Sequence, residues 1–421
     1  MSVPSVVCSG CGVCISQCPN QALGIVMTRE GFLRPSVEIS KCTGCHLCEW
    51  ICPFTIKLER LRVSKTLNLL LGDYLKIGLS WSTDNEIRFK AASGGAVISI
   101  LKYLLEHELV DAVLLPRAHV RKGLVLGVYE VVDNSRKLIE YSGSIYAPTV
   151  ISGALRNAIN QDLRFAVVAL PCQAYSLRRA VDFFPELKNI CIILGLYCNN
   201  VPSAKATRYV VKFMTKNNQD KVVEIKYRGN GWPGLTYIRV SNDESIRIPF
   251  PFFWDSGFGQ YFYDLSCLLC TDHTAEYADI SFSDPWTHQR DIGVGKTLLV
   301  VRTEAGLKLL KAAMEADYIV FEEFPSPLYA VQYTTLLKKT KKVTTRTSYS
   351  FDYVLPPSIS TITHELDYRI GSILSHYEKL WVLLRVYSKF KNIYTKPLCF
   401  LDYKLRLGFS KIVTCLSKVY V

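Results

Sequence analysis

Apolar residues recur along this chain with two different periods, and the alternation between them predicts the architecture. Residues 96–107 repeat at helical spacing, with Val97, Ile98, Leu101, Leu104 and Leu105 on one face. Residues 151–160 and 174–184 read as helices as well, and between the helices lie short runs that are apolar throughout but for the leading Asp111, 111–115, 165–170 and 190–197. A strand without a polar face must be buried on both sides. Such strands alternating with helices imply an α/β domain with a largely parallel sheet covered on each face, α+β once the rest of the chain is included. Residues 127–132 and 137–141 look like a hairpin, and residues 54–92 form a connector with apolar runs at 67–71 and 74–81. Near the C-terminus the helical period returns over 370–387, and 398–421 continues it among lysines.

The cysteines add a module in front of this sheet. Cys8, Cys11, Cys14 and Cys18, followed by Pro19, repeat the spacing of Cys42, Cys45, Cys48 and Cys52, followed by Pro53. This is the run of a bacterial-type two-cluster ferredoxin, in which the fourth cysteine of each copy ligates the other copy's cluster. Cys8, Cys11, Cys14 and Cys52 therefore belong to one [4Fe-4S] cluster, and Cys42, Cys45, Cys48 and Cys18 to the other. Zinc sites pair their ligands two and two, so a triplet with a distant fourth suits zinc poorly. A disulfide framework needs an oxidising compartment and leaves the duplication unexplained.

Placement on the strands suggests a third set. Cys172 and Cys198 follow the ends of two apolar strands, where ligands bind in open α/β sheets. Cys267 and Cys270 form a further pair after the aromatic stretch 250–262. These four make a candidate third [4Fe-4S] site, against the bland reading of each as a small buried apolar residue. That bland reading is preferred for Cys191, Cys399 and Cys415.

Composition bounds the partners. A chain of 421 residues suggests two to three domains, and a 49% hydrophobic share is ample for a layered core. The formal charge of +13 is concentrated: residues 385–421 hold eight Lys or Arg against Asp402 alone, a net of +7. A basic amphipathic helix lying on an anionic membrane competes there with packing on the core or on another subunit. No apolar run reaches the roughly 20 residues that span a bilayer, and no recognised module accompanies the charge to support nucleic-acid binding. Free thiolates and the lack of a secretory pattern before Cys8 make the cytoplasm the expected compartment, with peripheral membrane contact through the tail as a variant.

Several short motifs, in order, carry a family resemblance. They are Ala169-Leu170-Pro171-Cys172-Gln173, Leu196-Tyr197-Cys198, Tyr227-Arg228-Gly229 with Trp232-Pro233-Gly234, and Cys267-x2-Cys270-x-Asp272. Ala278-Asp279-Ile280-Ser281, Asp284-Pro285-Trp286 and the strand 298–302 with Thr303-Glu304-x-Gly306 complete the series. Residues 85–325 thereby resemble the coenzyme F420 hydrogenase/dehydrogenase beta-subunit family, F420 being a deazaflavin coenzyme. One departure is Ser283, where many relatives carry glycine before the aspartate.

The resemblance implies FAD in the α/β domain, a nearby [4Fe-4S] cluster, and hydride exchange with coenzyme F420 or a related carrier. Single electrons would then pass through the clusters to or from a redox partner subunit. Ser93-Gly94-Gly95 at a helix start is the candidate flavin phosphate site, because exposed N–H groups and the helix dipole favour an anion there. A capped helix start with two flexible glycines is the plainer reading. Arg228 and Trp232 are candidate flavin-pocket residues, one cationic and one stacking. Hydride transfer to a flavin needs no strong protein base, so no catalytic acid or base is assigned, and His273 with Asp272 is noted only for adjacency to Cys270. The expected division is a two-cluster ferredoxin domain over 1–60, an FAD-binding α/β domain with a third cluster over 61–335, and a basic helical region over 336–421. Two rival functions stay open: reduction of an organic substrate, as in hydroxymethyl chlorophyll reductases or on cell-surface sugars or lipids, and a flavin-free electron-relay subunit. Homo-oligomers are allowed by all of them.

Overall fold

The structure, a computed structural model, describes residues 8–54, 70–215, 221–259, 262–264, 266–267, 270–286, 293–332, 334–336 and 338–339. The expected helices at 370–387 and 398–421, together with Cys399 and Cys415, lie outside the described residues.

The ferredoxin segment comprises helix α1 (Val13–Ser16), a two-stranded antiparallel ribbon of β1 (Leu23–Met27) and β2 (Leu33–Val37), and helix α2 (Leu47–Trp50). Gly10, Gly12 and Gly44 all take positive φ, the left-handed turn that lets closely spaced cysteines curl around one centre.

A nine-stranded mixed sheet forms the body of the molecule. Its centre is four parallel strands: β4 (Ala112–Arg121), β7 (Phe165–Ala169), β8 (Ile190–Leu196) and β12 (Ile280–Ser283). Beyond β12 the sheet turns antiparallel through β13 (Thr297–Val301), β3 (Lys76–Ser82) and β14 (Ile319–Glu323). On the other flank β5 (Leu124–Val132) pairs antiparallel with β4, and the short β6 (Thr149–Val150) closes the edge.

The parallel centre agrees with the apolar runs, because β7 is buried at every position. Ala166 and Val168 face a core shared with α4 (Ala96–Glu106; α3 is Asn85–Lys90) and Glu304–Glu315, whereas Phe165, Val167 and Ala169 face the opposite core. That second core contains α5 (Ser152–Asn160) and α6 (Pro171–Val181), and also Val13 and Ile51 of the ferredoxin segment, both essentially inaccessible to solvent. The cluster module is thus built into the large domain's core.

The expected hairpin of 127–132 with 137–141 is corrected. β5 instead pairs with β4, in register from Val113–Val132 to Arg121–Leu124, around the two-residue turn Lys122-Gly123. Both turn residues have positive φ, the conformation a tight two-residue hairpin demands. Residues Ser135–Tyr141 wind into a 3-10 helix begun by the Asn134 side chain, which accepts from Arg136 N–H. A separate antiparallel sheet of β9 (Val222–Lys226), β10 (Leu235–Val240) and β11 (Ser245–Pro249) packs with Ala206–Thr215 around the buried rings of Tyr227, Phe253 and Phe258.

Candidate redox centre

The carboxyl ends of β7, β8 and β12 lie side by side, because the three strands are parallel neighbours. Each end releases a residue with chemistry. β7 runs into Leu170, Pro171 and Cys172, β8 into Tyr197 and Cys198, and β12 into Asp284. A loop then returns Cys267 and Cys270 to the same edge, so that all four predicted cysteines of the third set line one cavity.

The eight ferredoxin cysteines divide between two further cavities. One is lined by Cys8, Cys11, Cys14 and Cys52; the other by Cys18, Cys42, Cys45 and Cys48. The fourth cysteine of each repeat lines the cavity of the other triplet. Cys48 also borders the first of these cavities, and Cys11, with Ser9, borders the third-set cavity. The three voids therefore form a row with the Cys8/Cys11/Cys14/Cys52 set in the middle. Cys45, in the outermost set, is exposed.

The donor chemistry fits iron-sulfur clusters. Burial, and then the neighbouring Cys11 sulfur, push the Cys8 thiol up to about 12, and the same causes raise Cys14. Cys172 and Cys267 are raised chiefly by burial. Desolvated sulfurs crowded together are poor thiolates by themselves, whereas an iron core supplies the positive charge that a coordinating thiolate needs. Among the described residues no group of three or more His, Cys, Asp or Glu side chains is placed to hold a single metal ion. Two backbone N–H groups already point at sulfur: Gly10 to Cys8 at 3.3 Å and Ala22 to Cys18 at 3.2 Å.

The interface between the middle and third cavities is fixed by several contacts. Ile151 N–H donates to the Cys11 carbonyl at 3.3 Å, and Arg156 donates to the Ile15 carbonyl at 2.6 Å. Cys11 Sγ lies 3.9 Å from Ser176 Oγ, whose hydroxyl donates to the Cys172 carbonyl one turn earlier. Arg34 of β2 makes a largely buried ion pair with Asp264. At the far end of the ribbon, Ala204 N–H and Ser203 Oγ donate to the carbonyls of Gly31 and Glu30 at 2.9 and 2.5 Å.

The sequence did not single out Lys338. It is 1% exposed, lines the third-set cavity and donates to the carbonyls of Cys198 at 2.6 Å and Asp272 at 3.2 Å. Burial disfavours its ammonium, but the sulfurs of Cys270, Cys198 and Cys267, together with the Asp272 carboxylate, outweigh burial and hold its pKa above the ordinary lysine value. Both neighbours noted for adjacency are held by hydrogen bonds within the protein. The Asp272 carboxylate accepts the backbone N–H groups of Thr274, Ala275 and Glu276, and the buried His273 Nδ1 lies 2.8 Å from Thr335 Oγ1.

Ser93, Gly94 and Gly95 form the turn into α4, against β3 and the start of β13 on the same edge of the sheet. Gly94 N–H donates to Thr297 Oγ1 at 2.8 Å, and a Cβ on Gly94 would sit 2.6 Å from the Ser80 carbonyl. Glycine is needed there for backbone approach within the protein. No side chain caps α4, so its first N–H groups are not taken by a capping side chain.

Arg228 lies beside this turn. Its guanidinium donates to the Ala92 carbonyl at 2.7 Å and to the Pro233 carbonyl, pairs with Asp284, and sits 4.4 Å from the Phe250 ring centroid. Trp232 and Trp286 lie against each other beside it, 4.7 Å apart between ring centroids. Arg228 and Trp232 thus meet Ser93-Gly94-Gly95 at one place, with the arginine's donors engaged by protein acceptors. Ser283, the departure from the family pattern, accepts from Gln332 Nε2 at 3.0 Å.

Comparison with known proteins decides the family. Residues 79–156 match the N-terminal part of the coenzyme F420 hydrogenase/dehydrogenase beta subunit, and residues 162–326 match its C-terminal part. The chain belongs to that family. Residues 7–56 match the 4Fe-4S dicluster domain. The beta subunit of F420-dependent formate dehydrogenase from Methanocaldococcus jannaschii is 28% identical over 59% of this chain and 62% of its own length. The coenzyme F420-dependent sulfite reductase of the same organism is 27% identical over 76% of this chain, which spans 48% of that protein. The coenzyme F420 hydrogenase beta subunit of Methanothermobacter thermautotrophicus is 27% identical over 61% of this chain and 86% of its own length. In fold, the chain is similar to one in the F420-reducing [NiFe] hydrogenase complex of Methanosarcina barkeri, with TM-score 0.51 and 18% identity over 70% of this chain and 98% of that one. Among the described residues no helix is long and apolar enough to cross a membrane.

Proposed function

We propose that this chain is the electron-conducting, coenzyme F420-linked subunit of an oxidoreductase, carrying three [4Fe-4S] clusters in a row and an FAD at the edge of the sheet. The observation that carries the reading is the row of cavities. Twelve cysteines sort into three sets of four, each set on its own void, and Cys48 and Cys11 border the adjoining voids. Cys172, Cys198, Cys267 and Cys270 would hold the inner cluster, and Cys8, Cys11, Cys14 and Cys52 the middle one. Cys18, Cys42, Cys45 and Cys48 would hold the outer cluster, at the exposed end where a redox partner can approach.

When bound, FAD supplies the exchange between hydride chemistry, as with coenzyme F420, and one-electron chemistry. The uncapped start of α4, just after Ser93-Gly94-Gly95, offers N–H groups to its phosphates. Arg228 and Trp232 frame the pocket from behind, holding Ala92, Pro233 and Asp284 in place. The division into a ferredoxin module, a flavin domain and a basic C-terminal region belongs to the same reading, as does a cytoplasmic location.

Anaerobically purified protein should contain about twelve iron per chain if three cubanes are present, together with one FAD, and should be reduced by reduced coenzyme F420. Absence of bleaching by F420 alongside reduction by another donor would redirect the reading to a different substrate. A flavin-free relay is the second reading, favoured by the full engagement of Arg228 with protein acceptors. Heat extraction that releases no yellow chromophore from protein holding all its iron would establish it.

A further inference from the structure

The third-set cavity is surrounded by buried hydrogen-bond donors that the protein itself leaves unused. Gln173 is fully buried at the start of α6. Its Oε1 accepts the Leu170 N–H at 2.9 Å and lies 2.9 Å from the Tyr129 hydroxyl, which orients the amide with Nε2 as its other end. That Nε2 has no partner among the described residues, and neither has the fully buried Ser266 Oγ. Both residues line the cavity of Cys172, Cys198, Cys267 and Cys270, as does Lys338. Lys338 spends two donors on carbonyls and brings a whole positive charge. Buried donors almost always have acceptors, so two unpartnered ones beside a lysine around one void point to a sulfur-rich, anionic occupant.

The charge balance differs at the middle cavity. The cation near Cys8, Arg34, is neutralised by its ion pair with Asp264. At the third set the Asp272 carboxylate, which lines the cavity with Lys338, has its charge spread over three backbone N–H groups. Cluster potentials follow local charge and hydrogen bonds to sulfur, and reduction adds a negative charge that an ammonium and two dipolar donors favour.

We propose that Lys338, with Gln173 and Ser266, forms a donor cradle that makes the cluster on Cys172, Cys198, Cys267 and Cys270 easier to reduce than the neighbouring one. It is then where an electron rests between the flavin site and the ferredoxin module. This rests on the third-cluster reading above. The step is a one-electron reduction, the cluster gaining the electron that the donor loses, with no proton or bond exchanged.

The test is an anaerobic redox titration of the full chain, with paramagnetic resonance separating the clusters. Lys338→Met should weaken the one-electron affinity of the inner cluster at least tenfold, about 59 mV for a single electron. Lys338→Arg should stay within threefold of wild type, and the two ferredoxin signals should not move. Gln173→Leu should shift the inner cluster in the same direction by a smaller factor. An inner cluster within threefold of wild type in Lys338→Met overturns the proposal; if that variant does not assemble, an unshifted Gln173→Leu does so. A wild-type chain with only two clusters overturns the third-site reading itself, a distinguishable failure.

Discussion

Arg228 offers the sharpest test of how the candidate flavin region is held together. Its side chain is 1% exposed and that of its partner Asp284 is 19% exposed. Asp284→Ala would leave a buried guanidinium without its counter-charge, which costs about 3–5 kcal/mol when a buried pair is broken. The lower end applies here, because the carbonyls of Ala92 and Pro233 still receive the remaining donors and the carboxylate is partly solvated. With an unfolding entropy of ~2.1 cal/mol/K per residue, roughly 250 residues unfolding together give ~0.5 kcal/mol per degree, so ~3 kcal/mol lowers the midpoint by ~6 °C. Arg228→Met removes the charge and keeps an apolar body among Phe250, Trp232 and Trp286. The double variant should therefore be much less damaged than the two single losses summed. Anaerobic unfolding of reconstituted protein followed by tryptophan fluorescence reads the cycle, since Trp232 and Trp286 both lie beside the guanidinium. A loss below ~1 kcal/mol in Asp284→Ala, or losses that add within ~0.5 kcal/mol, would refute the account of a charge pair locking this region.

Three further outcomes follow from named contacts. Cys18→Ser should abolish the outer cluster yet leave the middle one, and Cys52→Ser the reverse; each lowers iron by about four per chain, and loss of the set nearer in sequence would contradict the crossed ligation. Gly12→Ala places a Cβ 2.3 Å from Val150 Cγ2 at φ +84°, so it should cost at least ~1–2 kcal/mol and loosen the ferredoxin segment, seen as faster proteolysis between residues 8 and 54. Arg302→Lys should cost ~2 kcal/mol or more in denaturant unfolding. The guanidinium bridges the Leu71, Asp73 and Thr274 carbonyls and Ser281 Oγ, and one ammonium cannot match that fork.

Much of this arrangement was legible in the residues because ligand spacing and strand burial are local signals. The duplicated cysteine run matches two cavities, with the fourth cysteine of each repeat lining the cavity of the other triplet. The unbroken apolar character of 165–170 and 190–197 announced the parallel centre, and with it the edge where Cys172 and Cys198 meet. The hairpin was misjudged because Lys122-Gly123 is a weak turn signal beside the better-known Asn-Gly, and because β4 continues past its apolar half into polar positions. Lys338 was invisible for a different reason. A lysine in a region rich in lysines carries no local mark of burial, and only the tertiary fold shows which one turns inward. Arg228 was read as a flavin-pocket cation, and the fold reveals how many of its donors the protein itself uses.

One consequence follows from Val13 and Ile51 sharing a core with β7 and β8. A free-standing ferredoxin meets its partners by diffusion, and its traffic varies with concentration and salt. Here the cluster carrier is soldered to the body of the molecule by the same side chains that stabilise it. Internal conduction should therefore be insensitive to ionic strength, and the outermost terminal, where Cys45 is exposed, is left to negotiate with the world outside.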